Sequence, residues 1–177
     1  MIALTFVFYM FVFLGAVIGA MRGWTKELLV AFSAVLSIFI ILVFEAYVGV
    51  WQVFVAQSVV TRFWARTIII LLLAFFGYQT PRIKRLEAAA RREKLQDSLL
   101  GIVVGGINAY LIIGSIWAYL AQAGYDKFNV VSAPVAGTAI GDAAIRLVSI
   151  MPPNYLEIPM IYFVIVFAFT FIVVVYV

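Results

Sequence analysis

The sequence predicts an all-α integral membrane protein, with four to five transmembrane helices and amphipathic helices at the membrane surface. Of its 177 residues, 67% are hydrophobic and only 11% are charged. Soluble domains carry about 45–50% apolar and about 25% charged residues. Five apolar runs approach or reach the length of about 20 residues that a helix needs to cross a bilayer. Together these observations predict one polytopic membrane domain over residues 1–177.

The first two apolar runs predict a helical hairpin. Residues 2–21 carry no charge, and residues 28–44 form a second apolar run after the short connection 22–27. A cleavable signal peptide would carry positive charge before its apolar core. Here the charges of Arg22 and Lys26 follow that core. We therefore interpret residues 2–21 as an uncleaved first span.

Residues 46–61 have two open interpretations. The segment is apolar but short for a span, and Trp51 suits the depth of the lipid headgroups, which favours an interfacial helix. A longer, tilted second helix is the alternative. The third span is predicted at residues 63–80, where Arg62 and Arg66 lie near its start and can reach the interface.

The most polar stretch, residues 81–97, predicts a charged helix on the cytoplasmic side of the membrane. Alanines and long side chains favour a helix here. Its basic side chains are predicted to contact anionic lipid or, alternatively, a cytoplasmic partner. These side chains are Arg82, Lys84, Arg85, Arg91, Arg92 and Lys94.

The second half of the chain predicts a fourth span at residues 99–121 and a fifth apolar run at residues 160–177. Between them, the long loop 122–159 contains an amphipathic segment, Thr138–Met151, that is typical of a helix lying flat on the bilayer or plugging the bundle. Its predicted apolar face consists of Ile140, Ala144, Leu147, Val148 and Met151. Because the fifth run ends the sequence without a polar tail, we expect the natural chain to continue.

The distribution of basic residues predicts the orientation. The connections 22–27 and 81–97 lie on one side of the predicted membrane and hold eight of the twelve Lys and Arg residues. Basic loops stay in the cytoplasm. This rule places the N-terminus outside and the 81–97 segment in the cytoplasm.

The side-chain inventory argues against an enzyme. The chain has no Cys and no His, which removes thiolate chemistry and the commonest metal and haem ligand. No nucleophile motif or phosphate-binding loop is present. Proton-coupled transport needs ionisable groups inside the membrane, and Glu45, at a span end, is the nearest candidate. We therefore predict no catalytic, cofactor-binding or metal site and no nucleic-acid partner.

Small residues predict where helices pack. Glycines at a spacing of four make a smooth ridge that another backbone can approach closely. One ridge lies at the end of the first span and a second, extended by Ala109, lies on the fourth span. Asn108 is near mid-membrane and predicts an interhelical hydrogen bond; contact with a substrate or ion is the alternative. The predicted packing residues are Gly15, Gly19, Gly23, Gly101, Gly105 and Asn108.

Two segments resemble the bacterial colicin V production protein family. One runs from Gly15 through the Arg22-Gly23 turn to Glu27, and the other runs from Asp97 through the glycines that begin the fourth span. The resemblance covers residues 1–121. It implies a small inner-membrane protein with a role in envelope processes and in toxin production or export. It implies no catalytic residue and no cofactor.

The leading functional hypothesis is a non-enzymatic inner-membrane protein that acts by packing against membrane partners, as the resemblance implies. Its partners would be the lipid bilayer and other integral membrane subunits or further copies of itself. An accessory or scaffold subunit of a respiratory or photosynthetic complex is the first alternative. A channel or transporter component is the second.

Overall fold

Seven α-helices account for the regular structure of the described residues, 4–79, 94–128 and 131–176 of the computed structural model. They confirm the all-α class. Four of them, α1, α2, α4 and α5, are long and apolar enough to cross a membrane, and α7 is a shorter apolar helix. The helices are α1 (Leu4–Arg22), α2 (Trp24–Tyr47), α3 (Gly49–Ala56), α4 (Val59–Tyr78), α5 (Lys94–Ala123), α6 (Ala139–Ser149) and α7 (Met160–Tyr176), with 3₁₀ turns at Tyr125–Lys127 and Pro152–Asn154.

Helix α5 is the centre of the bundle. It packs against α1 on one side and against α2 and α4 on the other, and α6 also contacts it. No side chain from Asn108 to Tyr119 is exposed. A helix that is covered on all sides contacts other helices rather than lipid, so its polar groups need partners within the bundle.

The main apolar core lies between α2, α4 and α5. Val30, Ala34, Ile38 and Ile41 recur at helical spacing along one face of α2, and each is almost completely buried. Lipid chains are as apolar as these side chains, so close packing rather than the hydrophobic effect must hold the helices together. The facing residues include Ile70 and Ala74 of α4 and Leu111 and Ile112 of α5.

A second apolar cluster joins α6 to α1 and α5. Phe8, Trp117, Ala144 and Met151 are among its buried residues. Thr138 begins α6, because its Oγ1 accepts a hydrogen bond from the Gly141 N–H at 3.1 Å. The apolar face that the sequence indicates is therefore largely turned inward.

One residue of that predicted apolar face is exposed instead of buried. Ile140 is 66% exposed, whereas Ala144 and Met151, which the same pattern groups with it, are buried. Ile140 lies in the first turn of α6, where the helix begins. The amphipathic pattern thus describes the middle and the end of the segment better than its start.

The connection between the first two helices is shorter than the sequence indicates. Only Gly23 separates α1 from α2, and its φ of 85° lies in the region that favours glycine. The expected connection 22–27 is therefore wrong in extent: Arg22 ends α1, and Glu27 lies in the first turn of α2. This places a carboxylate inside a membrane-spanning helix.

Residues 46–61 divide between three helices. Helix α2 continues to Tyr47, α3 is a separate short helix, and α4 starts at Val59. The Gln52 side chain folds back and its Nε2 donates to the carbonyl oxygens of Glu45 and Ala46 at 2.8 and 3.1 Å. These bonds satisfy carbonyl groups that would otherwise have no partner at the end of α2. Neither the single interfacial helix nor the single long helix describes the segment fully.

The predicted charged helix 81–97 coincides only in part with described residues. Lys94–Asp97 form the start of α5, so this end of the segment continues directly into the fourth span. The other predicted contact residues, Arg82, Lys84, Arg85, Arg91 and Arg92, lie outside the described residues.

Candidate functional site

The two glycine ridges lie against each other in the structure. A Cβ atom added at Gly19 would overlap the carbonyl oxygen of Gly101, and one added at Gly105 would overlap the carbonyl oxygen of Gly15. One added at Gly15 would also lie 2.7 Å from the Gly105 carbonyl oxygen. The backbones of α1 and α5 are thus in direct contact, an approach that only residues without a side chain allow.

The turn at Gly23 is closed by a carboxylate from another helix. Asp97, in the first turn of α5, accepts a hydrogen bond from the Trp24 N–H at 3.2 Å. Gly23 has no side chain with which to cap α2, so Asp97 satisfies one of the free N–H groups at the start of that helix. Ser98 adds a bond from its Oγ to the Ala20 carbonyl oxygen at 2.8 Å.

A buried ion pair lies beside this turn. Arg22 Nη1 donates to Glu27 Oε1 at 3.0 Å, and the Glu27 side chain is completely buried. Arg22 Nη2 donates to the Tyr78 carbonyl oxygen at 3.1 Å, and the guanidinium carbon lies 4.5 Å from the centre of the Tyr78 ring. With Asn108, these residues form the Arg22 cluster, defined as Arg22, Glu27, Tyr78 and Asn108.

Asn108 binds the carboxylate of this cluster. Its Nδ2 donates to Glu27 Oε2 at 2.7 Å and to the Glu27 carbonyl oxygen at 2.9 Å. The structure therefore places the predicted intramembrane amide in a hydrogen bond between α5 and α2. Its Oδ1 is buried and has no hydrogen-bond partner among the described residues.

A second ion pair lies at the other end of α2. Arg66 Nε and Nη2 donate to the two carboxylate oxygens of Glu45, each at 2.7 Å. Arg66 Nη1 donates to Gln122 Oε1 at 2.6 Å, and the guanidinium carbon lies 4.6 Å from the centre of the Tyr119 ring. We define Glu45, Arg66, Tyr119 and Gln122 as the Arg66 cluster.

The Arg66 cluster borders a cavity of about 480 Å³ between α2, α5 and the segment that precedes α7. Glu45, Arg66, Gln122 and Glu157 contribute to its lining, together with the apolar side chains of Ile38, Ile41, Leu42 and Ile158. Binding cavities for small molecules measure about 300–1,000 Å³ and combine apolar walls with a few polar groups. This cavity has both properties.

Most residues of the two clusters cannot be predicted from the sequence. Glu45 is the nearest ion-pathway candidate there, but its partner Arg66 is not indicated, and Glu27 is predicted within a connection. One signal was available: Glu27 and Glu45 are 18 residues apart, which is five helical turns, so both lie on the same face of α2. Their arginine partners lie on two other helices, and this pairing cannot be seen from spacing along α2.

Comparison with known proteins finds no relative of this chain. No protein-family model, no curated protein and no solved structure matches the chain. The apolar helices, their length and the closed ion pairs within them identify the chain as a multi-pass membrane protein.

Proposed function

We propose that this chain is a non-enzymatic protein of the bacterial inner membrane that resembles the colicin V production family and acts by packing against membrane partners in envelope or toxin-production and export processes. One observation carries the proposal. The two segments that resemble that family meet at the Gly23 turn, where Asp97 caps α2 and Gly19 contacts Gly101. Residues 73 and 82 positions apart in the chain thus form one structural unit, which is what a shared fold would require.

The geometry of this unit supports a structural role for the residues in it. The Glu27 carboxylate binds Arg22 and Asn108, and the Asp97 carboxylate binds the start of α2. A buried carboxylate that is paired in this way is fixed in place and neutralised by its partners. In this proposal the Gly23 turn holds the bundle together, and the outer faces of the helices remain for partners.

The outer faces of α1 and α7 are the partner surfaces in this proposal. Both helices expose large apolar side chains, because their inner faces alone contact the bundle. In a membrane these faces contact lipid, other subunits or further copies of the chain. The exposed aromatic residues are Phe6, Tyr9, Phe11 and Phe13 of α1 and Phe163, Phe167, Phe169 and Phe171 of α7.

Complementation tests the proposed family function. A colicin V-secreting bacterium that lacks its own family member would receive either the wild-type chain or the Gly19→Leu variant, which prevents the α1–α5 contact. We expect the wild-type chain to restore colicin V release and the variant to fail. Wild-type chain that inserts normally and restores no release would contradict the proposal.

Native purification with mass spectrometry tests the partners. Integral membrane proteins of the envelope should be recovered with the chain at a constant ratio. Recovery with redox subunits of a respiratory or photosynthetic complex would instead favour the accessory-subunit alternative. A matched preparation in which exposed aromatics of α1 are replaced, as in Phe13→Leu, controls for partners that bind through that face.

The proposed orientation places the Arg22 end of the bundle in the cytoplasm. Arg22, Lys26 and the basic residues before α5 supply the positive charge that retains a connection on that side. The chain has no cysteine, so single-cysteine variants give a clean topology test. Lys26→Cys should react only after the membrane is permeabilised, and Lys127→Cys should react in intact cells; the reverse pattern would overturn the orientation.

A further inference from the structure

The cavity beside the Arg66 cluster has an apolar wall and a negatively charged side. Ile38, Ile41 and Leu42 of α2 form part of the wall. The charge comes from Glu157, which belongs to the segment before α7 and lines the same cavity. A ligand that fits this lining has an apolar body and a group that complements a carboxylate.

The charges in the lining do not cancel. Glu45 and Arg66 neutralise each other through two short hydrogen bonds. No ion pair or side-chain hydrogen bond joins Glu157 to another of the described residues. The cavity as described therefore carries one uncompensated negative charge, and a cation is the ligand that would compensate it.

The geometry of Arg66 disfavours an anionic ligand. Its guanidinium already donates to both oxygens of Glu45 and to Gln122. An anion would have to replace a bidentate carboxylate and would also meet the negative charge of Glu157. Both effects oppose binding, because paired charges that are separated lose their charge-assisted hydrogen bonds.

Because Arg66 already lies over the Tyr119 ring, the cavity favours a ligand with a primary ammonium group over one with a quaternary ammonium group. Quaternary ammonium groups are recognised by open aromatic faces. The Tyr119 ring, the aromatic group in this lining, already has Arg66 above it at 4.6 Å. A primary ammonium instead donates hydrogen bonds, which the oxygens of Glu157 and Glu45 accept.

From these observations we propose that the cavity binds the primary ammonium group of an amphiphile, with Glu157 as its counter-ion and the α2 wall in contact with its apolar body. Two sources carry this chemistry: the ethanolamine headgroup of a membrane phospholipid, whose phosphate would have to lie away from the occupied Arg66 guanidinium, and a free alkyl amine that enters from water. The site is independent of the proposed partner function, since it uses neither the glycine ridges nor the outer faces of α1 and α7.

The test uses the full chain in nanodiscs and three forms of it: wild type, Glu157→Gln and Asp126→Asn. Asp126 is the matched control, because it lies at the same end of the bundle, is exposed and does not line the cavity. One arm titrates octylammonium and octyltrimethylammonium into phosphatidylcholine nanodiscs. The other measures, by native mass spectrometry, which lipid is retained from an equal mixture of phosphatidylethanolamine and phosphatidylcholine.

We expect Glu157→Gln to weaken octylammonium binding or phosphatidylethanolamine retention about tenfold, the loss of one charge-assisted contact. Asp126→Asn should match the wild type. Selective retention of phosphatidylethanolamine alone identifies the lipid as the source, and selective binding of octylammonium alone identifies a free amine.

Three results would overturn the proposal: no selectivity in either arm, equal binding of the trimethylated probe, or equal losses in the two variants. Unchanged thermal unfolding of Glu157→Gln, whose residue is exposed, shows that a loss of binding is not a loss of fold.

Discussion

The Arg22 and Arg66 clusters contain the same four kinds of group and differ in their surroundings. Each pairs an arginine with a glutamate of α2, places the guanidinium about 4.5 Å from a tyrosine ring and adds an amide side chain. The Glu27 side chain is 0% exposed and its partner Arg22 is 21% exposed, whereas Glu45 is 21% exposed and its partner Arg66 is 12% exposed. Similar chemistry therefore encloses the carboxylate at one end of the bundle and leaves it accessible beside a cavity at the other.

The position of the amide also separates the two clusters. In the Arg22 cluster, Asn108 donates to the carboxylate. In the Arg66 cluster, Gln122 accepts from the guanidinium and its Nε2 donates to Asn154 at 3.3 Å. The first amide thus adds to a fixed buried pair, and the second connects its pair to the loop that precedes α7.

The largest expected effect distinguishes the two glutamates. Glu27→Ala removes the fully buried carboxylate that binds both Arg22 and the Asn108 amide, which should cost about 3–5 kcal/mol of stability. Glu45→Ala should cost about 1–2 kcal/mol, because the Glu45 carboxylate is partly exposed and borders the cavity. Unfolding of both variants in mixed micelles of increasing SDS content measures the difference. Equal losses would show that the two ends are equally buried.

The next effect tests why the Arg22 end is closed. Gly19→Ala forces a methyl group against the Gly101 carbonyl, and we expect a loss of about 2–3 kcal/mol as α1 moves away from α5. Gly106→Ala is the matched control, since its nearest atom would be the Ala16 Cβ at 3.8 Å; it should change stability by less than about 0.5 kcal/mol.

Hydrogen exchange sharpens the same test. In Gly19→Ala, amides around the Gly23 turn should exchange faster, and amides of the residues that line the Glu45 cavity should keep their wild-type rates. Faster exchange at both ends would mean that the two clusters unfold as one unit, which would remove the distinction between them.

A smaller effect isolates the cap at the start of α2. Asp97→Ala removes the acceptor of the Trp24 N–H, and the loss of such a cap typically costs about 1 kcal/mol. Asp97→Asn retains an oxygen acceptor and should recover most of the stability. The same unfolding assay measures both variants, and a full loss in Asp97→Asn would show that the negative charge, rather than the hydrogen bond, matters here.

The smallest effect concerns the exposed ion pair of Lys127 and Asp126, with which the ion pairs of both clusters can be compared. The hydrogen bond and charge of Lys127 hold the pKa of Asp126 below its usual value. Because the pKa is lowered on folding, the pair stabilises the protein above the usual aspartate pKa and loses this effect as the pH falls through the lowered value. Lys127→Ala should raise the pKa of Asp126 in a carboxyl NMR titration and shift the unfolding curve less than any variant above, because the pair is exposed.

The membrane-spanning helices could be predicted from the sequence because hydropathy reports directly on the lipid environment. Runs without charge stand out, and the all-α class follows from the need to satisfy backbone hydrogen bonds within each span. The limits of α2 could not be predicted in the same way. Glu27 and Glu45 resemble the ends of an apolar run, but ion pairs with Arg22 and Arg66 allow the helix to continue past both.

The glycine ridges show which part of the site can be predicted from the sequence. A spacing of four shows that Gly15 and Gly19 lie on one face of a helix, but it does not show what that face contacts. The structure places Gly101 and Gly105 there. The Arg66 cluster and its cavity require residues from α2, α4, α5 and the loop before α7, and no local pattern connects side chains so far apart in the chain.

Helix α2 also fixes the distance between the two ion pairs. Its two paired carboxylates are separated by five turns, or about 27 Å along the axis, close to the hydrocarbon thickness of about 30 Å. A thicker bilayer would bring lipid chains against the ion pairs at both levels, so there the bilayer should thin locally around the bundle. In a thinner bilayer the bundle should tilt as a whole, so the separation of two residues in one helix determines the preferred lipid chain length.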